Sequence, residues 1–310
     1  MTAVRAVARC LLTVFLASIV IFALLRLVPG DPAQVALGVD ATPDLVEATR
    51  HRFGLDRPLV LQYLEWIGGV LTGHFGTSFV TGQDMSAILR DRTAVTLWLV
   101  IPAVLIALLG ATAVGTWAAM RRGVTGTVLD VAAQLLLAVP AFLLGVVLVM
   151  VISLALGWLP PSGWEVPVDS PGGFLRHLIL PVLTLAAVQG AILTRYVRAS
   201  LEDVLGRDYL RLARSKGLTR GQAVFRHGLR NAAVPVLTVA GVELASLLVG
   251  AVVIESVFDV PGLGSLLVTA VGERDMVTVQ GIVMVLVAIT VIVNLAVELV
   301  HGLVDPRVRA

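Results

Sequence analysis

Between residues 195 and 230 the chain gathers nine basic residues, Arg195, Arg198, Arg207, Arg211, Arg214, Lys216, Arg220, Arg226 and Arg230, against three acids. Such a cluster breaks no bonds. Its chemistry is the recognition of negative charge, on a soluble protein or on anionic lipid. A DNA-binding helix-turn-helix has a similar outline, but this stretch has no apolar core of its own, which disfavours nucleic acid. A second candidate is Glu243, a carboxylate in the middle of an apolar run, where charge is costly and ordinarily faces protein or water. Ser246 and Gly250 follow it by three and seven residues and share its helical face. Small and polar residues on one face suit either the lining of a solute path or a close contact with another subunit.

Catalytic patterns are missing. There is no GxxxxGK[ST], and the one lysine, Lys216, sits in SKGL, so the chain has no means of its own to hydrolyse ATP. The histidines (His51, His74, His177, His227 and His301) form no HExxH and no close pair suited to a metal. No GxSxG appears, and a single cysteine, Cys10, leaves no internal disulfide.

The basic stretch must be positioned by local structure. Ser200 with Asp203 reads as a helix start, and Leu201, Val204, Leu205 and Leu212 recur at helical spacing. Arg207, Arg211 and Arg214 share another face, with Asp203 placed four residues before Arg207. Gly217 followed by Leu218 reads as a glycine C-cap. Thr219 and Gln222 have capping-box spacing and open a short helix running toward Leu229. The expected element is helix, glycine turn, short helix.

Everything around it is apolar. The 310 residues are 57% hydrophobic and 14% charged, far from a soluble globular composition. Runs long enough to span a bilayer occur at Cys10–Val28, Thr93–Met120, Val131–Leu156, Leu178–Thr194, Ala232–Ile254 and Val277–Val297, six in all. Of the 23 basic residues, fifteen fall on the side of the N-terminus and of the 195–231 loop, among them Arg5, Arg9, Arg121, Arg122, Arg307 and Arg309. The positive-inside rule then makes both termini and that loop cytoplasmic. The first span lacks a small-residue cleavage site and reads as an uncleaved anchor.

Residues 30–92 form a long polar segment on the other side, too long for a plain turn. Thr42 opens a helical pattern through Leu45, Val46 and Phe53, and Leu59–Leu71 is a second apolar pattern suited to the membrane surface. The remaining outer segments, Gly157–His177 and Glu255–Met276, read as loops. The chain thus divides at about residue 92, into an anchor with its outer loop (1–92) and a five-span core (93–310). Glu298 lies near the inner end of the last span.

At this point the residues carry a family likeness. DYLRLARSKG (208–217), HGLRN (227–231) and Pro235 resemble the coupling loop of ABC-importer permeases, with Gly217 at the glycine position and Ala213 at the second alanine. PGDP (29–32), FGLDRPLVLQY (53–63), GHFGTSF (73–79), TLWL (96–99), WLPPSG (158–163), ESVFDVPGLG (255–264), RDMVTVQG (274–281) and DPRVR (305–309) follow in the family's order. The chain resembles the long-outer-loop permease of the dipeptide, oligopeptide, nickel and glutathione importers. His74, where an aspartate is common, and Glu243 depart from that pattern.

The resemblance implies an all-α integral membrane protein of the type I importer fold, six transmembrane helices with a cytoplasmic coupling helix. It implies a non-catalytic subunit that passes a small solute by alternating access. Asp208, Tyr209, Arg211, Ala213, Arg214, Lys216, Gly217, His227, Arg230 and Asn231 would engage the ATPase. Expected partners are a second, homologous permease, two ATPase subunits that use ATP and Mg, an extracytoplasmic substrate-binding protein, and membrane lipid. The residues alone leave two other readings open: an ion-coupled secondary transporter using Glu243, and a membrane scaffold that tethers partners through its basic loop.

Overall fold

The computed structural model describes residues 3–38, 41–121 and 124–304. Arg122, Arg307, Arg309 and the DPRVR stretch at 305–309 lie outside them. The described residues are almost wholly helical, and their β structure is a single isolated bridge between Thr77 and Asp84. In hydrocarbon no water is at hand to bond the backbone, so a spanning segment must satisfy its own N–H and C=O groups, as a helix does.

Among the described residues five helices are long and apolar enough to cross a membrane, and a bent pair supplies a sixth span if counted as one. They extend beyond the apolar runs: α1 is Ala3–Leu27, whereas the helix through Thr93–Met120 begins at Met85 and the helix through Leu178–Thr194 occupies Pro171–Leu205. The run Val131–Leu156 needs a correction. It is not one straight rod, because its two halves meet at 99° with the break at Val139–Pro140. Pro140 has no N–H to donate and disfavours helical backbone at the residue before it. Pro102 and Pro181 remain inside their helices.

The chain forms two compact units. One comprises residues 7–96 and 261–292. After α1 it holds α2 (Pro32–Leu37), α3 (Pro43–Arg52) and α4 (Leu59–Leu71), then the start of α5 (Met85–Met120). Thr42 precedes α3 and the 59–71 pattern is α4, both as the spacing predicts. The segment 255–276 is more than a loop, since it contains the apolar helix α12 (Leu263–Gly272). Its ten residues lack the length that marks a span, so hydropathy overlooks it. Met85, Leu89, Leu263, Ala270, Val279 and Ile282 form the core of this unit. Tyr63 of α4 meets the buried Ser18 of α1 at 2.8 Å, hydroxyl to hydroxyl. Asp84 opens α5 by accepting from the Ser86 N–H at 3.0 Å and its hydroxyl at 2.8 Å, bonds that hold its carboxyl below the ordinary pKa.

Asp275 performs the matching task for the last helix, α13 (Met276–Val304). Its buried carboxylate accepts from Ser78 Oγ at 2.6 Å, from Thr278 Oγ1 at 2.5 Å and from the Thr278 N–H at 3.4 Å, tying the GTSF segment to the helix start. Asp275→Ala should lower stability by roughly 2–4 kcal/mol, a lost cap plus two hydroxyls stripped of a charged acceptor. Asp275→Asn, which keeps an acceptor oxygen, should lose less. An unchanged unfolding temperature for the alanine variant would remove this role.

The other unit comprises residues up to 6, 97–260 and from 293 onward. Its centre is α8 (Pro171–Leu205), the most buried of the long helices, packed against α6 (Val124–Ala138), α7 (Ala141–Leu148) and α11 (Leu229–Val257). The α5 portion of this unit lies along α8. Gly190 faces Ala107, and Gly115 faces Val197 and the Thr194 carbonyl, so the two helices run in the same direction.

Candidate functional site

The 195–231 segment sits at the end of α8. There the structure corrects the expected helix start: α8 continues to Leu205, and Ser200 lies inside it, its hydroxyl donating to the Ala232 carbonyl at 3.1 Å. A hydroxyl within a helix can bond outward instead of capping, and nothing in the local spacing distinguishes the two. The chain breaks at Gly206, and Arg207 adopts extended backbone before α9 (Asp208–Ser215). The break removes Arg207 from helical register with Asp203. On α8 the ion pair at four-residue spacing is instead Arg198 with Glu202, at 2.8 Å.

The capping signals beyond α9 are as the sequence predicts. Gly217 has φ +94°, the Gly217 N–H bonds the Arg214 carbonyl at 3.0 Å, and the Leu218 N–H reaches back to Ala213 at 3.4 Å. Thr219 and Gln222 form a reciprocal capping box, with bonds of 3.0 and 3.3 Å. The helix they open, α10 (Arg220–Ala223), is not a short separate piece, which is a second correction. A π-helical segment, Val224–Gly228, carries it into α11 without interruption. Thr219 thus begins a helix that ends at Val257.

Burial decides which side of α9 is available. Leu210 is 3% exposed and anchors it, whereas Leu212, assigned to the apolar face by spacing, is 58% exposed, and Tyr209 is exposed as well. The shift follows from the break at Gly206, which resets the helical phase between Leu205 and Leu212. Asp208, Arg211, Arg214, Lys216 and Gly217 are exposed and Ala213 is half-buried. Arg211 meets Asp208 at 3.5 Å. His227, Arg230 and Asn231 are exposed at the start of α11 and the turn before it, with Asn231 Nδ2 donating to the His227 carbonyl at 3.1 Å. These residues therefore present two neighbouring surfaces rather than one.

A cleft of about 770 Å³ opens beside α9, lined by Arg121, Arg198, Arg211, Arg214 and Arg220, with Glu202 as its acid. Arg198 on α8 and Arg220 at the capping box belong to the basic cluster but not to the residues the resemblance assigns to the ATPase contact, and Arg121 at the end of α5 belongs to neither. Arg198 also donates to the Gly126 carbonyl at 2.9 Å, which ties α8 to α6. Phe225, 69% exposed in the π-helical segment, is a further surface residue that spacing did not single out. The arrangement offers positive charge with two exposed apolar side chains, Tyr209 and Leu212, the composition of a protein-docking surface.

The second candidate face is only partly assembled. Glu243 is half-buried and accepts a long hydrogen bond from Gln189 Nε2 of α8, at 3.5 Å. Gly250 is half-buried beside Leu185, whereas Ser246 is exposed. The face therefore packs on α8 at two of its three positions. Among the described residues no group of three or more His, Cys, Asp or Glu could hold a metal.

Comparison with known proteins places these features in context. Residues 111–310 match the family described as binding-protein-dependent transport system inner membrane component, and residues 2–100 match that family's N-terminal region. The chain is 38% identical over 304 residues to the glutathione transport system permease protein GsiC of Salmonella typhimurium (strain LT2), covering 96% of this chain and 95% of that one. It is 37% identical over 298 residues to the protein of the same name from Escherichia coli (strain K12), with the same coverage.

Proposed function

The chain belongs to the family of binding-protein-dependent transport system inner membrane components, and from that premise we propose that the α9–Gly217–α10 element is where soluble ATPases drive it. The protein is the permease subunit of an ABC importer and a non-catalytic membrane component. Nothing in the comparisons favours an ion-coupled transporter. The observation that carries the proposal is the rigid joint after Gly217: a surface rich in arginine leads through a capping box straight into α11. A short helix seated in a groove of a partner is an ordinary mode of recognition, and a rigid connection lets the partner's movement reach the spans.

Asp208, Tyr209, Arg211, Arg214 and Lys216 would contact an ATPase, Ala213 and Gly217 would shape the turn, and His227, Arg230 and Asn231 would extend the surface. ATP and Mg are then used by those partners. We divide the labour between residues 1–92, an anchor and a landing surface for the binding protein, and residues 93–310, the permease core. The loop and both termini face the cytoplasm. Single cysteines at Ala41 and Ser215 in a Cys10→Ser background test this, and labelling of Ser215→Cys but not Ala41→Cys by an impermeant reagent in intact cells would reverse the orientation.

The permease pairs with a homologous partner around the path, since one coupling element serves one of two ATPases. The relatives are named for glutathione transport, and we place the cargo among small peptides and peptide-like solutes such as glutathione. The reconstituted complex should hydrolyse ATP faster when cargo-loaded binding protein is added. Uptake driven by an ion gradient with no ATPase present would sink the reading.

Glu243 is proposed to line the path, where its carboxylate favours a cationic group such as a free amino terminus. Its bond to Gln189 within the same chain supports a role other than pairing with the partner subunit. Glu243→Gln should reduce uptake of cargo with a free amine several-fold more than uptake of an N-acetylated analogue. A complex that fails to assemble would instead assign Glu243 to packing.

A further inference from the structure

The unit formed by residues 7–96 and 261–292 contains a cavity of about 350 Å³, within the range of roughly 300–1,000 Å³ typical of small-molecule sites. Phe22, Phe53, Trp66, Phe75 and Phe79 line it. Phe53 and Phe79 stack with centroids 4.0 Å apart, which makes one wall flat and rigid. Neither the basic surface nor Glu243 belongs to this unit, so the cavity is independent of the coupling and path proposals.

Its polar groups are unbalanced in one direction. Arg26, near the end of α1, lines the cavity, donates to Gln62 Oε1 and lies over the Phe22 ring, 5.3 Å from Cζ to the centroid. Gln62 is fixed in that orientation because its Nε2 donates to the Leu55 carbonyl at 3.2 Å and the Arg57 carbonyl at 2.7 Å. Among the described residues Arg26 has no carboxylate partner. The one acid lining the cavity, Glu65, is taken by Arg57 at 2.5 Å. On the α13 side, Gln280 also lines the cavity, and its Nε2 is buried with no hydrogen-bond partner. A buried donor left unpaired loses its hydration without compensation, so a native structure retains one where something else supplies the acceptor.

We propose that this cavity binds a small amphipathic carboxylate, its apolar body against the aromatic wall and its carboxylate received by the Arg26 guanidinium and the Gln280 amide. A guanidinium with unused N–H groups and an orphan amide donor both call for an acceptor, and the charge on Arg26 selects an anionic one. The ligand's source is either water-soluble, such as the end of an N-blocked aromatic amino acid, or the lipid phase, such as a fatty acid.

Full-length protein in lipid nanodiscs decides this by equilibrium dialysis with radiolabelled N-acetyl-L-phenylalanine and decanoate, each beside its neutral amide and corrected for empty nanodiscs. At least one acid should bind tenfold or more tightly than its amide, with the aromatic pair pointing to a soluble source and the alkyl pair to lipid. Arg26→Gln should abolish the preference. Gln280→Leu should weaken acid binding several-fold while leaving the unfolding temperature unchanged or higher, because it removes an orphan donor without opening space. Acids and amides binding alike, neither binding, or a Gln280→Leu protein that is more stable with undiminished binding would overturn the assignment and leave the cavity to water.

Discussion

Replacing Gly217 with valine should abolish ATP-driven uptake while the protein still inserts and accumulates. At φ +94° the backbone occupies a region that L-residues rarely adopt, and a β-branched side chain fits it worst. No neighbouring atom lies within 4 Å of where a Cβ would stand, so the damage is conformational rather than a collision. Such strain costs about 1–3 kcal/mol, enough to reduce the native turn by roughly 5- to 150-fold where an alternative loop conformation is open to it. Once the turn is lost, the Leu218 bond to Ala213 breaks and α9 is no longer aimed relative to α10. Asparagine tolerates positive φ better than other side chains, so uptake should fall in the order Gly, Asn, Ala, Val. Uptake by Gly217→Val at the wild-type rate would show that the turn's geometry plays no part in coupling.

The second large effect is expected at Gly115→Val. A Cβ there would stand 2.8 Å from Val197 Cβ and 2.9 Å from the Thr194 carbonyl oxygen, and neither the base of a side chain nor a helix backbone can swing aside. Helices in membranes associate through small residues that allow close approach, and α5 and α8 must separate to admit an isopropyl group where there was only hydrogen. Overpacking of this kind costs about 1–3 kcal/mol, and the backbone contact puts Gly115→Val at the upper end. The variant should show a lower unfolding temperature and reduced recovery of folded protein. Adding Val197→Ala, which removes the Cγ1 contact also at 2.8 Å, should make the double variant less damaged than the sum of the singles. Strict additivity would mean that the two residues do not meet.

How much of this was legible in the sequence depended on the range of the signal. Gly217, Thr219 and Gln222 were readable because a cap is a contract between residues within a turn of one another. Ser200 misled because a capping hydroxyl and a mid-helix hydroxyl have the same local pattern, and its partner, Ala232, is 32 residues away. Leu212 misled because the phase of a helix carries across a segment only while the helix is unbroken, and Gly206 breaks it. The bend at Pro140 and the membership of α12 in the same unit as α1–α4 were invisible to hydropathy, which registers how apolar a segment is and not where it turns or what it joins. Arg121 and Arg198 joined the cleft only through the folding of α5 and α8, whereas Glu243 was conspicuous because a carboxylate among apolar residues is rare.

The uninterrupted helix from Arg220 to Val257 also fixes a gear ratio. Its 38 residues, at 1.5 Å each, make a shaft about 57 Å long, so a tilt of about ten degrees around its middle swings each tip by roughly 5 Å. A shaft transmits twist as well as tilt, and the wider π-helical winding at Val224–Gly228 sets the angular offset between Arg220 at one tip and Glu243 farther along. One residue inserted or deleted between them would turn one end against the other by about 100°. The torque would still arrive, but on the wrong side of the shaft.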